Sequence, residues 1–175
     1  MNIFLILIKK MGRQLLDQKL VQQIKNLRPI LMTIDDIKEI SEIFISFWGD
    51  QGLYSEKTFI NIINQELSYV YKLNGQIIAY CLVEYNNDKR IAEIALLCVR
   101  KGFQGYHLGQ NILKYSIEKC EENGITNFGL HVSTTNTRAF NLYKKLGFLI
   151  QNFIPKYYDD EEPEDSDAYY MTLVY

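Results

Sequence analysis

The chain has 175 residues, 47% of them hydrophobic, with 13 tyrosines and nine phenylalanines. That is ample for a packed core and argues against disorder. A net charge of −2 leaves no footprint for nucleic acid or an anionic membrane surface. The total hides an asymmetry, because seven of the 21 acids crowd into residues 159–167 and the rest of the chain carries +5. A solvated loop is the plain reading of such a run.

Cys81, Cys98 and Cys120 are odd in number, lie in apolar contexts and have no metal-ligand spacing. They read as reduced core residues of an intracellular protein. Residues 3–8 are apolar but far short of the roughly 20 needed to span a bilayer. No small-residue cleavage site follows them, so a secretory signal is not expected.

In chain order, Leu16, Leu20, Ile24 and Leu27 recur at helical spacing and predict a helix over 13–26. This segment, 1–26, reads as an extension ahead of a domain covering 27–175. It is either a helix packed on the domain flank or a docking helix for an auxiliary subunit. Residues 27–32 form a short strand, and Pro29 places it at an edge. Asp35 or Asp36 can cap the next helix, whose apolar face is Ile37, Ile40, Ile43, Phe44 and Phe47. Trp48-Gly-Asp-Gln-Gly52 breaks it, and Ser55 starts a second helix with Phe59, Ile62 and Ile63 inward.

Residues 69–73 and 77–85 are strands joined at Asn74-Gly75, a strong hairpin signal. Residues 91–99 form the next strand, nearly continuous in apolar side chains and therefore central, with Glu93 the exception. A helix over 107–122 ends at Asn123-Gly124. A strand at 127–132, a helix at 136–146 and strands at 148–154 and 168–174 complete the order. It describes an α+β domain with a mixed sheet.

Two segments carry chemistry. Gln104-Gly-Tyr-His107-Leu-Gly109 lies between the central strand and a helix, where backbone N–H groups and the positive helix end can hold phosphate. It resembles the Arg/Gln-x-x-Gly-x-Gly/Ala loop of the GNAT acetyltransferase superfamily, which grips the pyrophosphate of acetyl-CoA. About 30 residues on, Asn136-Thr-Arg-Ala139-Phe-Asn-Leu-Tyr143-Lys-Lys-Leu-Gly147-Phe148 is similar to the second GNAT signature. The resemblance covers residues 27–175. It implies the GNAT fold, a mostly antiparallel sheet of about seven strands with helices on both faces, and acetyl-CoA as cofactor. It also implies that Leu97, Cys98 and Val99, residues 104–110 (Gln104, Gly105, Tyr106, His107, Leu108, Gly109, Gln110), Asn136, Ala139 and Tyr143 meet that cofactor. Within this set a backbone N–H of 97–99 would face the developing oxyanion. Tyr143 would protonate the departing thiolate.

Pro155-Lys-Tyr157-Tyr158, the acids, and Asp167-Ala168-Tyr-Tyr-Met171 resemble the C-terminal hairpin of the protein N-terminal acetyltransferases, including the bacterial ribosomal-protein enzymes. The resemblance implies an α-amine acceptor in a pocket of Phe47, Tyr54, Tyr157 and Tyr158. The chain departs from the family in four places, one of them Gly102, which stands near the usual proline. Phe47-Trp-Gly-Asp-Gln-Gly-Leu-Tyr54 replaces a Phe-Pro-x-x-Tyr loop, the acidic loop is long, and His107 replaces the first loop glycine. A non-glycine residue is acceptable there if its φ is negative, and its imidazole is a possible phosphate donor.

Two bases compete. His131 stands where relatives place a histidine or glutamate, and Glu93 resembles the base of the lysine-acetylating branch. A carboxylate in an apolar strand is also the setting in which burial raises a carboxyl pKa. Lysine, with a pKa of about 10.4 against about 7.7–8.0 for an α-amine, needs the stronger base. The expected activity is acetyl transfer to a protein N-terminal α-amine, in the cytoplasm or, alternatively, the nucleus, without metal or nucleic acid. A lysine or small-amine acetyltransferase and a non-catalytic GNAT-fold subunit stand as alternatives.

Overall fold

The structure, a computed structural model, describes residues 18–50, 54–158 and 166–174. Helix α1 is described over 18–26. Strand β1, Ile30–Leu31, and a 3-10 turn, Ile34–Asp36, lead into α2, Ile37–Trp48, and then α3, Glu56–Ile63. Next come β2 (Tyr69–Leu73), β3 (Gln76–Asn86), β4 (Ile91–Val99) and α4 (Leu108–Glu122). Then follow β5 (Asn127–Ser133), α5 (Thr137–Lys145), β6 (Leu149–Ile154) and β7 (Ala168–Val174).

The strands form one sheet in the order β1-β2-β3-β4-β5-β7-β6. Every pairing is antiparallel except β4 with β5. One face packs on α2 and α3 through Ile40, Ile43, Phe59 and Ile62. The other packs on α1, α4 and α5 through Ile24, Ile112, Leu113, Ile117 and Tyr143. Both faces of β3 and β4 are therefore covered, which is why these strands read as apolar runs rather than as an alternation. The expected GNAT-type α+β architecture is the observed one.

Local chemistry explains where the elements begin and end. The Ser55 hydroxyl accepts from the Thr58 N–H at 3.2 Å and starts α3. Asn136 Oδ1 accepts from the Ala139 N–H at 3.1 Å and starts α5. The strand expected over 27–32 contracts to two residues, because Pro29 has no N–H to donate. The expected helix start at His107 moves to Leu108, because His107 is left-handed at φ 61°. Only Ile24 of α1 is fully buried, with Leu20 and Leu27 packed beside it. The expected helical turn over 13–17 lies outside the described residues.

Candidate active site

β4 and β5 pair only at Ala92–Phe128 and Glu93–Gly129, then part. The register between β3 and β4 shifts at the same level: Leu82 faces Leu96 while Val83 faces Ile94, so Ala95 is an extra residue. Such a bulge bends its strand. Above it, the Arg100 N–H donates to the Ile78 carbonyl of β3 at 2.9 Å. Backbone directions alternate along a strand, so the Cys98 N–H also faces β3, and those of Leu97 and Val99 face the gap. The Val99 carbonyl, on the gap side, accepts from Gln104 Nε2 at 3.3 Å.

A cleft of about 720 Å³ opens at the gap. Leu97, Asn136, Ala139 and Tyr143 line it where the strands have parted. Glu93, at the last paired position, and His131, two residues beyond Gly129, line it too, with Glu84, Trp48, Tyr54 and Tyr157. Ala139 and Tyr143 share one face of α5 by their spacing of four. Tyr143 is buried edge-on against Phe148. Burial holds its hydroxyl well above the usual phenol pKa, so it is protonated at neutral pH. That hydroxyl makes no hydrogen bond among the described residues.

Around the last paired residues three strands contribute one cluster. The Tyr170 hydroxyl of β7 donates to Glu93 Oε1 of β4 at 3.0 Å. His131 of β5 is in register with Tyr170 and 4.8 Å from its ring. It also stacks on Tyr157 at 4.3 Å with planes 8° apart. Burial lowers the His131 pKa, and the nearby Glu93 carboxylate opposes that only in part. His131 is therefore neutral at pH 7 and can accept a proton. Burial, then the charge and hydrogen bond of Glu93, push Tyr170 up to about 12.

The turn after β4 is built from left-handed residues: Gly102 at φ 91°, Gly105 at 89° and His107 at 61°. The expectation that His107 keeps a negative φ is therefore incorrect. The turn retains the glycine-like backbone although the glycine is gone, at the strain of a left-handed non-glycine residue. It delivers the N-terminus of α4, whose first N–H groups lack helical partners. Gln104 ties this turn to α5, accepting from the Arg138 guanidinium at 2.8 Å.

Residues 35–148 match the family model described as Acetyltransferase (GNAT) family. The chain belongs to the GNAT acetyltransferase family. A Bacillus subtilis protein provisionally described as a ribosomal protein bS18-alanine N-acetyltransferase is 27% identical over 147 residues, 81% of this chain and 93% of the relative. The Escherichia coli ribosomal protein bS18-alanine N-acetyltransferase is 29% identical over 121 residues, 69% of this chain and 80% of the relative. Arabidopsis thaliana Naa50, solved with the bisubstrate analogue CoA-Ac-MVNAL, superposes with a TM-score of 0.73 at 22% identity. That match covers 85% of this chain and 99% of the Arabidopsis one, and it shows the shared fold.

As a GNAT enzyme the protein uses acetyl-CoA, and the gap suits such a cofactor. Its wall offers the N–H groups of Leu97 and Val99, which face the gap, and the Tyr143 hydroxyl, unpartnered among the described residues, and an anion-binding helix end stands beside it. Cys98 does not join them. Its N–H faces β3, and burial pushes its thiol up to about 12, with the Tyr80 hydroxyl opposing in part. Gly105, Tyr106, Leu108 and Gln110 offer backbone to the turn and the first turn of α4, and Leu108 itself is buried in the core. Gly109 lies 3.4 Å from Val99 at the position a Cβ would take, so strand and helix approach closely there.

Tyr54, Tyr157 and Tyr158 line the cleft as expected, whereas Phe47 does not. Its ring carries the Lys101 ammonium at 5.1 Å, and Phe44 and Trp48 form the wall instead. Helical spacing could have found Phe44 and Trp48, which share a face at i and i+4. Glu84, Gly129, Tyr170 and Arg138 were also missed. Of these, a glycine inside a strand was a readable sign of close approach. Of the acidic run, only Asp167 lies within the described residues. It accepts from the Lys156 N–H at 2.9 Å, and the Tyr158 N–H reaches the Ser166 carbonyl at 2.8 Å, so both ends of the loop are anchored beside the cleft.

Among the described residues no helix is long and apolar enough to cross a membrane.

Proposed function

We propose that the protein transfers the acetyl group of acetyl-CoA to the α-amine of a protein or peptide N-terminus. The observation that carries this reading is the neutral His131 beside Glu93 and Tyr170, in the cleft that Tyr143 also lines. A neutral imidazole suffices to deprotonate an α-amine of pKa about 7.7–8.0. At neutral pH a lysine costs roughly 3 kcal/mol more to deprotonate. The Glu93 carboxylate accepts from Tyr170 and stabilises the imidazolium that forms, so Glu93 supports His131 rather than competing with it. The names of the bacterial relatives support the same acceptor.

Acetyl-CoA supplies the activated acetyl thioester. The chain supplies the rest. Leu97 and Val99 N–H groups lie where charge develops on the carbonyl oxygen. Tyr143, held protonated, gives a proton to the leaving sulfur. Gln104, His107 and the start of α4 hold the phosphates, and Asn136 and Ala139 set α5 against the pantetheine arm. Tyr54, Tyr157 and Tyr158, with Trp48, enclose the first acceptor side chain. The acids of 159–167 draw a cationic N-terminus inward. The exposed face of α1 is the docking surface for an auxiliary subunit, and a cytoplasmic or nuclear setting goes with this reading.

The test is acetyl-CoA turnover against unblocked peptides, with N-terminally blocked lysine peptides and free amines as controls. Turnover confined to free N-termini is expected. Turnover of blocked peptides would instead move the enzyme to the lysine branch. Acetyl-CoA binding without any turnover would indicate a missing subunit, and no binding a non-catalytic role.

A further inference from the structure

The site contains a charge that the reaction above does not use. Glu84 of β3 is in register directly opposite Glu93 of β4, and both carboxylates line the cleft. Directly opposed residues on an antiparallel pair have Cβ atoms about 5 Å apart, and like charges so placed destabilise the sheet. Among the described residues neither carboxylate has a salt bridge to a Lys, Arg or His.

A second feature points to the same kind of ligand. Trp48, Tyr54 and Tyr157 line the same cleft as the pair. Aromatic faces attract ammonium and guanidinium groups, and more strongly when these are partly desolvated. Tyr54 registers both carboxylates: its pKa is raised by burial, then by Glu84, Tyr157 and Glu93 in turn. Two carboxylates in a cleft that three aromatic residues also line exceed what one acceptor amine requires, because that amine must lose its charge to react.

We propose that Glu84 is a specificity-determining residue that selects acceptors with a second positive charge close to the reacting amine. This inference rests on the α-amine reading, under which the second charge is a Lys or Arg side chain at the first or second residue of the acceptor. The reacting amine lies by His131 and Glu93, and the basic side chain crosses to Glu84 between Trp48 and Tyr54.

The test uses the full chain, saturating acetyl-CoA and matched unblocked peptides. These differ at residue one or two only, Lys against norleucine and Arg against citrulline. Wild type is expected to favour the basic member by about tenfold in kcat/KM, the scale of a hydrogen bond to a charged group. Glu84→Gln should bring that ratio close to one. Glu84→Lys should reverse it, favouring Glu over Gln at the same position. Acetyl-CoA binding by titration shows that each variant is folded. A wild-type ratio near one, or a basic preference that survives Glu84→Gln, overturns the assignment and leaves the α-amine reading intact. If peptides fail while a diamine outruns the matching monoamine in a Glu84-dependent way, the α-amine reading falls and the selection of a second charge stands.

Discussion

Gly129 faces Glu93 across the short parallel pairing of β4 and β5, and its missing side chain is the space that the site occupies. A Cβ on Gly129 would stand 2.6 Å from the Tyr170 hydroxyl and 2.7 Å from Glu93 Oε2. The hydrogen bond between those groups therefore exists only over a bare Cα. Gly129→Ala should displace both side chains and lower kcat by about tenfold or more, with a stability loss of about 1–3 kcal/mol. The KM for acetyl-CoA should stay within twofold, because Asn136 and Ala139, proposed to meet the cofactor arm, line the cleft beyond the point where the strands part. Steady-state kinetics with a melting curve separates the two effects, and an unchanged kcat would remove Tyr170 and Glu93 from the acceptor cluster.

The pH profile follows from His131. Burial favours its neutral form, so the folded pKa lies below the ordinary 6.5. The acid limb of kcat/KM that belongs to the enzyme should fall below pH 6.5, and activity should be free of it by pH 7. The acceptor amine contributes its own rise near pH 8, which a peptide of lower amine pKa shifts and the enzyme limb does not follow. His131→Ala should remove the lower limb and reduce kcat by about 10²-fold. Glu93→Gln should keep the limb but lower its midpoint, since the carboxylate is what holds the imidazole pKa up. A limb that persists unchanged in His131→Ala would transfer the base to Glu93.

Tyr143 can be tested at the leaving group. Its raised pKa keeps the proton in place at neutral pH and through the range where the α-amine titrates, so no basic limb from this residue is expected there. Tyr143→Phe keeps the edge contact with Phe148 and removes only the hydroxyl. The expected loss is about 10²-fold in kcat, with little change in the KM for acetyl-CoA. An acetyl thioester of a more acidic thiol should recover most of it, because that thiolate leaves without a proton. Equal losses with both thioesters would assign Tyr143 a packing role.

The sequence was legible where one local signal decided one local outcome. The Ser55 and Asn136 caps, the Asn74-Gly75 hairpin and the apolar run of β4 each act through near neighbours. The site was half-legible for the same reason. Tyr143 and His131 could be placed from their segments, but Tyr170 matters only because β7 inserts between β5 and β6 and sets it opposite His131. Glu84 matters only through the register of the β3–β4 hairpin, and that register carries a bulge at Ala95. Phe47 was misplaced by one helical position: Phe44 and Trp48 turn to the cleft while Phe47 faces Lys101. Non-local pairing fixed these positions, and no window of sequence contains it.

His107 separates backbone from side chain in phosphate binding. Its φ of 61° gives the turn the shape a glycine would give it, and its side chain is exposed. If the N–H groups at the start of α4 do the binding, His107→Gly should leave the affinity for acetyl-CoA within about twofold. It should also relieve about 1 kcal/mol of left-handed strain, offset in part by the greater freedom of glycine in the unfolded chain. Gln104→Ala should behave differently. It cuts the link from Val99 to Arg138 and frees the turn from α5, so the KM for acetyl-CoA should rise about three- to tenfold, the cost of a hydrogen bond or two. Calorimetric titration of acetyl-CoA into the two variants distinguishes them. A larger loss in His107→Gly than in Gln104→Ala would show that the imidazole itself contacts phosphate.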